Sequence, residues 1–303
     1  MMPSPKNTSR RKFVSNLSIA AAAMAATPML SRANSFFKVD EAITVGQIMD
    51  MFIKTVPGAP FANTVDTLKA GSKDTVVKGI VTAMFPTVDV IRKTIALNAN
   101  FIVCHEPTFY NHEDDVSWLQ HNDVYGYKAA MLKEHNIAIW RNHDYIHSLQ
   151  PDGVNTGVIA KLDWKQYQKT ANTFVMEPGI SLSELIGHAK EKLDIEKVRY
   201  IGDLQQNCSK ILLMVGAAGG KAQISAINSI KPDVLVCGEI SEWETAEYVR
   251  DARAEGMSHV ALVVLGHIAS EQAGSEFMRD WLKERLPGVP VTYVPDGNSL
   301  SFA

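Results

Sequence analysis

The 303-residue sequence predicts an α/β fold, and three observations carry that expectation. Short, continuous apolar runs at 101–104, 211–215, 234–237 and 261–265 have the length and β-branched content of strands buried on both faces of a sheet. Segments with helical apolar spacing lie between them, so strand and helix alternate along most of the chain. The composition, 46% apolar and 21% charged, is that of an ordinary globular protein with a sizeable core.

Taken in order, the spacing predicts a helix over 45–54, a strand over 76–82, a helix over 88–97 and the strand 101–104. A helix over 127–135, a strand over 137–140 and a helix over 154–162 follow, the last behind the turn Pro151-Asp152-Gly153. A first half ends near Trp164. In the second half, Ser181 with Glu184 reads as a capping box opening a helix to Leu193, and Ser241 with Glu244 reads as a second box opening a helix to Glu255. Between and beyond them lie the strand 211–215, a helix over 221–230, the strands 234–237 and 261–265, a helix over 270–285 capped by Ser270, and a strand over 289–294. The expected organisation is 1–33 as a targeting segment, 34–165 as a first α/β half and 166–303 as a second.

The targeting segment is read from Ser9-Arg10-Arg11-Lys12-Phe13-Val14, followed by an Ala-rich apolar stretch and then Ser31-Arg32-Ala33. That is the pattern of a twin-arginine signal, with cleavage expected before Asn34 and export to the periplasm. The apolar stretch is shorter than about 18 residues and is broken by Pro28, so no stable membrane span is expected after cleavage. A net charge of −3 provides no basic field to neutralise phosphates along a duplex, and nucleic acid is not an expected partner. Cys104, Cys208 and Cys237 form an odd set without Cys-x-x-Cys spacing, and read as buried thiols.

Three of the predicted strands end in potential metal ligands. The first runs into His105-Glu106-Pro107, the second into Arg141-Asn142-His143-Asp144-Tyr145-Ile146-His147, and the third into Gly266-His267-Ile268-Ala269-Ser270-Glu271. In open α/β sheets the space beyond the carboxyl ends of strands is where ligands bind. Imidazoles and carboxylates without thiolates suit zinc, manganese, iron, cobalt or nickel, and two ions sharing a carboxylate sit about 3.5–4 Å apart. The segment Gly216-Ala-Ala-Gly-Gly-Lys221 invites comparison with a phosphate-binding loop, but the spacing is wrong and Ala222 stands where Ser or Thr would hold magnesium. It reads as a Gly-rich turn into a helix.

With these residues in view, the chain from about 40 to 300 resembles the Nif-three-like dinuclear metal-centre proteins, some of which carry the label GTP cyclohydrolase I type 2. The resemblance rests on Cys104-His105-Glu106-Pro107, on His143 four residues before His147, on Asp152-Gly153-Val154-Asn155, on Cys237-Gly238-Glu239-Ile240-Ser241-Glu242, and on Gly266-His267 with Glu271. It implies a Nif-three-like fold of two related α/β halves with a dinuclear metal site between them. It also implies a homohexamer built as a ring-shaped trimer of dimers.

By the same resemblance, Glu106, His147 and Glu271 hold one divalent ion and His105, His267 and Glu271 hold the other, with Glu271 bridging. The chain departs from the family pattern twice. His105-Glu106 stands where a His-His pair is usual, and His147 where Asp is usual. One change replaces an imidazole by a carboxylate and the other a carboxylate by an imidazole, so three nitrogen and two carboxylate ligands remain and the formal charge of the site is unaltered.

Two functional classes follow. In the first, the protein is a metal-dependent hydrolase acting on a small anionic substrate through metal-bound hydroxide, with His143 as candidate proton donor; two divalent ions against two carboxylates and a hydroxide leave about one positive charge. In the second, the ions are cargo of a non-enzymatic metal-binding or metal-delivery protein. His112 and Asp114 read as solvated loop residues, and Glu239 and Glu242 as groups that orient ligands or cap their helix. No residue pattern identifies a guanine pocket.

Overall fold

A computed structural model describes residues 42–254 and 256–301; the twin-arginine segment lies outside them. Among the described residues there are two five-stranded sheets and nine α-helices. The first helices and strands are α1 (Val45–Ile53), β1 (Leu68–Ala70), β2 (Ile80–Ala83), α2 (Val88–Ala96), β3 (Phe101–Cys104), α3 (Asp123–Glu134), β4 (Ala138–Arg141), α4 (Asp144–His147) and α5 (Gly153–Lys161). The chain continues through β5 (Thr173–Ser181), α6 (Leu182–Leu193), β6 (Arg199–Ile201), β7 (Asn207–Met214), α7 (Gly220–Ile230) and β8 (Val234–Cys237). It ends with α8 (Glu247–Ala254), β9 (Ala261–Val264), α9 (His267–Arg285) and β10 (Val291–Tyr293).

The first sheet has the order β1-β4-β3-β2-β10, with β4, β3, β2 and β10 parallel and β1 antiparallel at the edge. In the second, ordered β5-β7-β8-β9-β6, a parallel trio β7-β8-β9 is flanked by antiparallel β5 and β6. β10 carries the C-terminal part of the chain back into the first sheet.

Alternation along the strands builds the layers. Phe101, Val103, Ala138 and Trp140 of the first sheet, and Val234, Val236, Ala261 and Val263 of the second, all enter one inner core. Helices α1, α5, α6 and α9 add Phe52, Val154, Leu185 and Leu282 to it. The opposite faces have separate covers: Ile102 and Ile139 pack under α2 and α3, and Leu235 and Leu262 pack under α7 and α8. Phe52 ties the inner layer together, meeting Trp140 edge-on at 5.8 Å and Trp281 at 4.8 Å between ring centroids.

The four continuous apolar runs are strands, as predicted. The Ser181/Glu184 capping box forms in full. The Ser241 box does not: its side chain caps nothing, and a π-helical turn over Glu242–Ala246 precedes α8. Short edge strands β1 and β6 and the strand β5 escape the sequence pattern, because edge strands carry mixed burial and lack a continuous apolar run. The thiols are buried and free, and burial pushes Cys104 and Cys237 up to about 12.

Helix α9 starts one turn before the expected Ser270 cap. Gly266, at φ 95°, turns the chain, and Ser270 Oγ donates to His267 O at 2.8 Å while accepting from Gly216 N at 2.9 Å. His267 is therefore helical, and Glu271 lies four residues on along the same face.

Candidate metal centre

The carboxyl ends of β3 and β4 from the first sheet and of β9 from the second converge on one cluster. His105, Glu106 and Glu271 are buried, with 5%, 6% and 4% of their surface exposed, although two of them carry charge. Ligand atoms of His105, Glu106 and Glu271 all lie within 4.8 Å of one another, and so do those of His105, His143 and His147. His267 joins them: its Nε2 lies 3.2 Å from Glu106 Oε1 and 3.1 Å from Glu271 Oε2.

The histidines share one orientation. Nδ1 of His105 donates to Asn142 O at 3.4 Å, that of His143 to Asp144 Oδ1 at 2.9 Å, and that of His147 to Asp152 Oδ2 at 2.9 Å. Nδ1 of His267 lies 3.6 Å from Glu239 Oε1. The rings of His105, His143 and His147 are thus held from outside by hydrogen bonds, and the Nε2 of all four histidines faces the carboxylates, the arrangement in which imidazoles ligate metals. His105 Nε2 is buried with no hydrogen-bond partner, 3.5 Å from Glu271 Oε2 and 3.9 Å from Glu106 Oε1. A divalent ion among these atoms would satisfy a lone pair that otherwise stays unpaired.

Glu271 has a distinct neighbour for each oxygen. Oε2 faces His105 and His267, whereas Oε1 lies 4.0 Å from His147 Nε2. Glu106 divides differently: Oε1 faces His267 and lies 4.0 Å from His143 Nε2, while Oε2 accepts from Arg141 Nη2 at 3.3 Å. One oxygen of Glu106 is therefore free for the centre. Arg141, fully buried, also donates to the carbonyls of His105 and His112 and lies 3.7 Å from Asp114. Asp114 is no solvated loop residue: its side chain is 3% exposed and pairs with Lys69 at 3.2 Å. His112 is exposed, and its ring lies 5.8 Å from that of His143. Glu242 turns to Arg199 at 2.5 Å.

Charge follows this packing. Burial alone raises Glu106 and Glu271, but the hydrogen bond from His267 and the neighbouring His105 outweigh it and hold both below their ordinary values. Burial also opposes charge on His267, yet its bonds to the same two carboxylates raise it to about 10. Burial, and then His105, push His143 down to about 4 against the pull of Asp144. Burial opposes charge on His147, but its bond to Asp152 and the negative charges of Asp152, Glu271 and Glu106 together outweigh it and raise its pKa. Between the carboxylates the protein thus places a proton where a cation would also sit. At neutral pH His143 is neutral with Nε2 as a lone-pair donor, which suits a ligand or base better than the proton donor expected from sequence.

Sequence reasoning passed over several supports. Asp66, far away in the chain and 4% exposed, accepts from the backbone N–H groups of His143, Asp144 and Tyr145 at 2.8, 3.0 and 2.7 Å and so fixes the start of α4. No local signal marks it. Gly216, discarded with its loop, packs on the centre: at φ +62°, a Cβ there would lie 2.5 Å from Glu271 Cδ and 2.8 Å from Oε2.

Two α/β sheets with a buried histidine–carboxylate cluster at their strand ends define a candidate metal-binding protein. Residues 43–296 match the profile of Duf34/NIF3 (NGG1p interacting factor 3), and the chain belongs to that family. A GTP cyclohydrolase 1 type 2 homolog of Clostridium acetobutylicum is 24% identical over 216 residues, covering 67% of this chain and 76% of that protein. In fold, the chain is similar to a hypothetical protein of Staphylococcus aureus, with a TM-score of 0.71 at 18% identity, covering 87% of this chain and all of the other. A Bacillus cereus protein related to NIF3 superposes with a TM-score of 0.69 at 14% identity, covering 87% of this chain and 100% of its own.

Proposed function

We propose that the cluster holds two divalent metal ions and that the protein is a metal-dependent hydrolase of a small anionic substrate. The observation that supports this most is the common orientation of His105, His143 and His147, each anchored by a hydrogen bond at Nδ1 with Nε2 turned to Glu106 and Glu271, where His267 Nε2 joins them. Glu271, with its oxygens directed to different histidines, is suited to serve both ions. His105 and His267 would complete the set on Oε2, and His147 the set on Oε1, with Glu106 offering Oε1 beside them.

Bound divalent ions supply Lewis acidity, which makes water a nucleophile near neutral pH and stabilises charge developing on a substrate oxygen. The chain's own residues do the rest. Arg141 fixes one oxygen of Glu106 and leaves the other facing the centre. Asp144 and Asp152 hold the Nδ1–H of their histidines, so that Nε2 is the ring atom His143 and His147 would offer to a metal. The side chains of His143 and His147 are about a quarter exposed, which leaves an approach from solvent on their side.

Export by the twin-arginine route and assembly into a hexamer belong to the same proposal, and export would carry the protein away from cytoplasmic GTP. Metal analysis of Glu271→Ala tests the centre: protein purified without chelators should carry two ions per chain and the variant none. Retention of both ions by the variant would overturn the assignment. Metal-loaded protein that hydrolyses no anionic ester or amide, yet passes its ions to an apo-acceptor, would replace the hydrolase by a delivery protein.

A further inference from the structure

We infer that the cavity beside Glu106 is a subsite for an anion carrying a planar aromatic group, held by Lys128 at its charged end; calling its occupant a substrate rests on the metal-centre reading above. The cavity, of about 580 Å³, lies within the ordinary size range of small-molecule sites. Glu106 forms part of its wall, and so does Phe85, whose ring meets the His267 ring edge-on with centroids 6.2 Å apart. An occupant therefore abuts the candidate metal centre through residues on two sides.

The walls are largely apolar and aromatic. Phe85, Val88, Pro107, Tyr110 and Ile268 all line the space, surfaces that accept a flat ring. Among them stands one buried cation. Lys128 comes from α3 and is 4% exposed; Nζ donates to Thr108 O at 2.6 Å and sits 5.5 Å from the centre of the Tyr110 ring. It makes no ion pair among the described residues, although an ammonium has three N–H groups to place. Burial lowers its pKa to about 8, so the group is still charged at neutral pH.

A buried ammonium is costly unless something negative meets it; Lys128 Nζ has one carbonyl and the faces of the Phe109 and Tyr110 rings about it, and keeps N–H groups for an anion. The opposite sign marks another part of the wall: Asp296 lines the cavity and accepts from the N–H groups of Met84 and Phe85 at 3.1 and 2.8 Å. An anionic end is repelled there and drawn to Lys128. The ring then has the apolar wall to lie against.

Binding of 2-naphthoate, an aromatic carboxylate inert to hydrolysis, to the full chain by equilibrium dialysis tests this directly, with neutral 2-naphthylmethanol as the matched probe and metal content measured on every sample. Wild type should bind naphthoate more tightly than the alcohol. Lys128→Met should weaken naphthoate about tenfold while leaving the alcohol unchanged, the size expected for losing one charged hydrogen bond. Val88→Trp, which fills the cavity from a half-buried position, should weaken both. Naphthoate binding that is indifferent to Lys128→Met, or to Val88→Trp, overturns the subsite. If the naphthoate pattern holds in protein that takes up no metal, the subsite stands and the metal reading falls; if metal binds and the pattern is absent, the subsite alone falls.

Discussion

The strand ends of the two sheets differ in kind. In the first sheet, β3 and β4 run into His105, Glu106 and His143, with His147 one turn further on. In the second, β7, β8 and β9 run within two residues into Gly216, Gly238 and Gly266. One sheet supplies donor atoms and the other supplies room. The room is needed: a Cβ at Gly238 would lie 2.5 Å from Gly216 N and 2.6 Å from Ser270 Oγ, where the loops of the second sheet close under α9. Only His267 and Glu271 are contributed from that side as candidate ligands, and they come from a helix. A centre between two sheets requires both roles, and a search for ligand residues alone sees half of it.

The largest break in this comparison should come from the permissive side. Gly216→Ala drives a methyl into the Glu271 carboxylate and should lower metal affinity about 100-fold, read by metal titration with far-UV circular dichroism to confirm folding. Gly219→Ala is the control. It has a similar positive φ of 81° but nothing within 4 Å of an added Cβ, so it carries backbone strain without the collision and should keep its metal. Equal losses in both variants would assign the effect to strain.

On the donor side, Glu106→His and His147→Asp test the exchanged pair. Each alone should cost about tenfold or more in metal affinity, and the two together should cost less than the sum. Recovery should be incomplete, because Arg141 loses the Glu106 oxygen that it now holds at 3.3 Å. Strict additivity in a double-mutant cycle would separate the two residues.

A smaller effect is expected from Asp152→Asn, which keeps the shape of the His147 anchor but removes its charge; metal affinity should fall about tenfold. Smallest is a pH effect confined to chelated protein. The folded pKa of His267, about 10, lies above its unfolded value, so its stabilisation is full below about pH 6.5 and is lost as pH rises through 10. Thermal midpoints of chelated protein should fall by more between pH 8 and 11 than those of His267→Gln. Metal-loaded protein should not show the difference, since a ligating His267 carries no proton on Nε2.

The first sheet's contribution was legible in the sequence because strand and ligand are contiguous there: an apolar run buried on both faces stops at a polar pair. The central strands β3, β4, β8 and β9 were visible for the same reason. The second sheet's contribution was not, since glycine shows only a permitted space and says nothing of what fills it; Gly216 looked like a failed phosphate loop. Helix α9 began earlier than expected because Ser270 turned its hydroxyl to Gly216 and the His267 carbonyl rather than to a helix end. Asp66 and Arg141 act through backbone groups and through Glu106 at long sequence separation, where no spacing rule reaches.

The most direct test of a two-ion centre bridged by Glu271 is an anomalous difference map from crystals of the metal-loaded protein, recorded at the absorption edge of the bound metal. Two peaks about 3.5–4 Å apart are expected, one at each oxygen of Glu271, with His105 and His267 on the Oε2 side and His147 on the Oε1 side. A single peak, or peaks that do not touch Glu271, would contradict it.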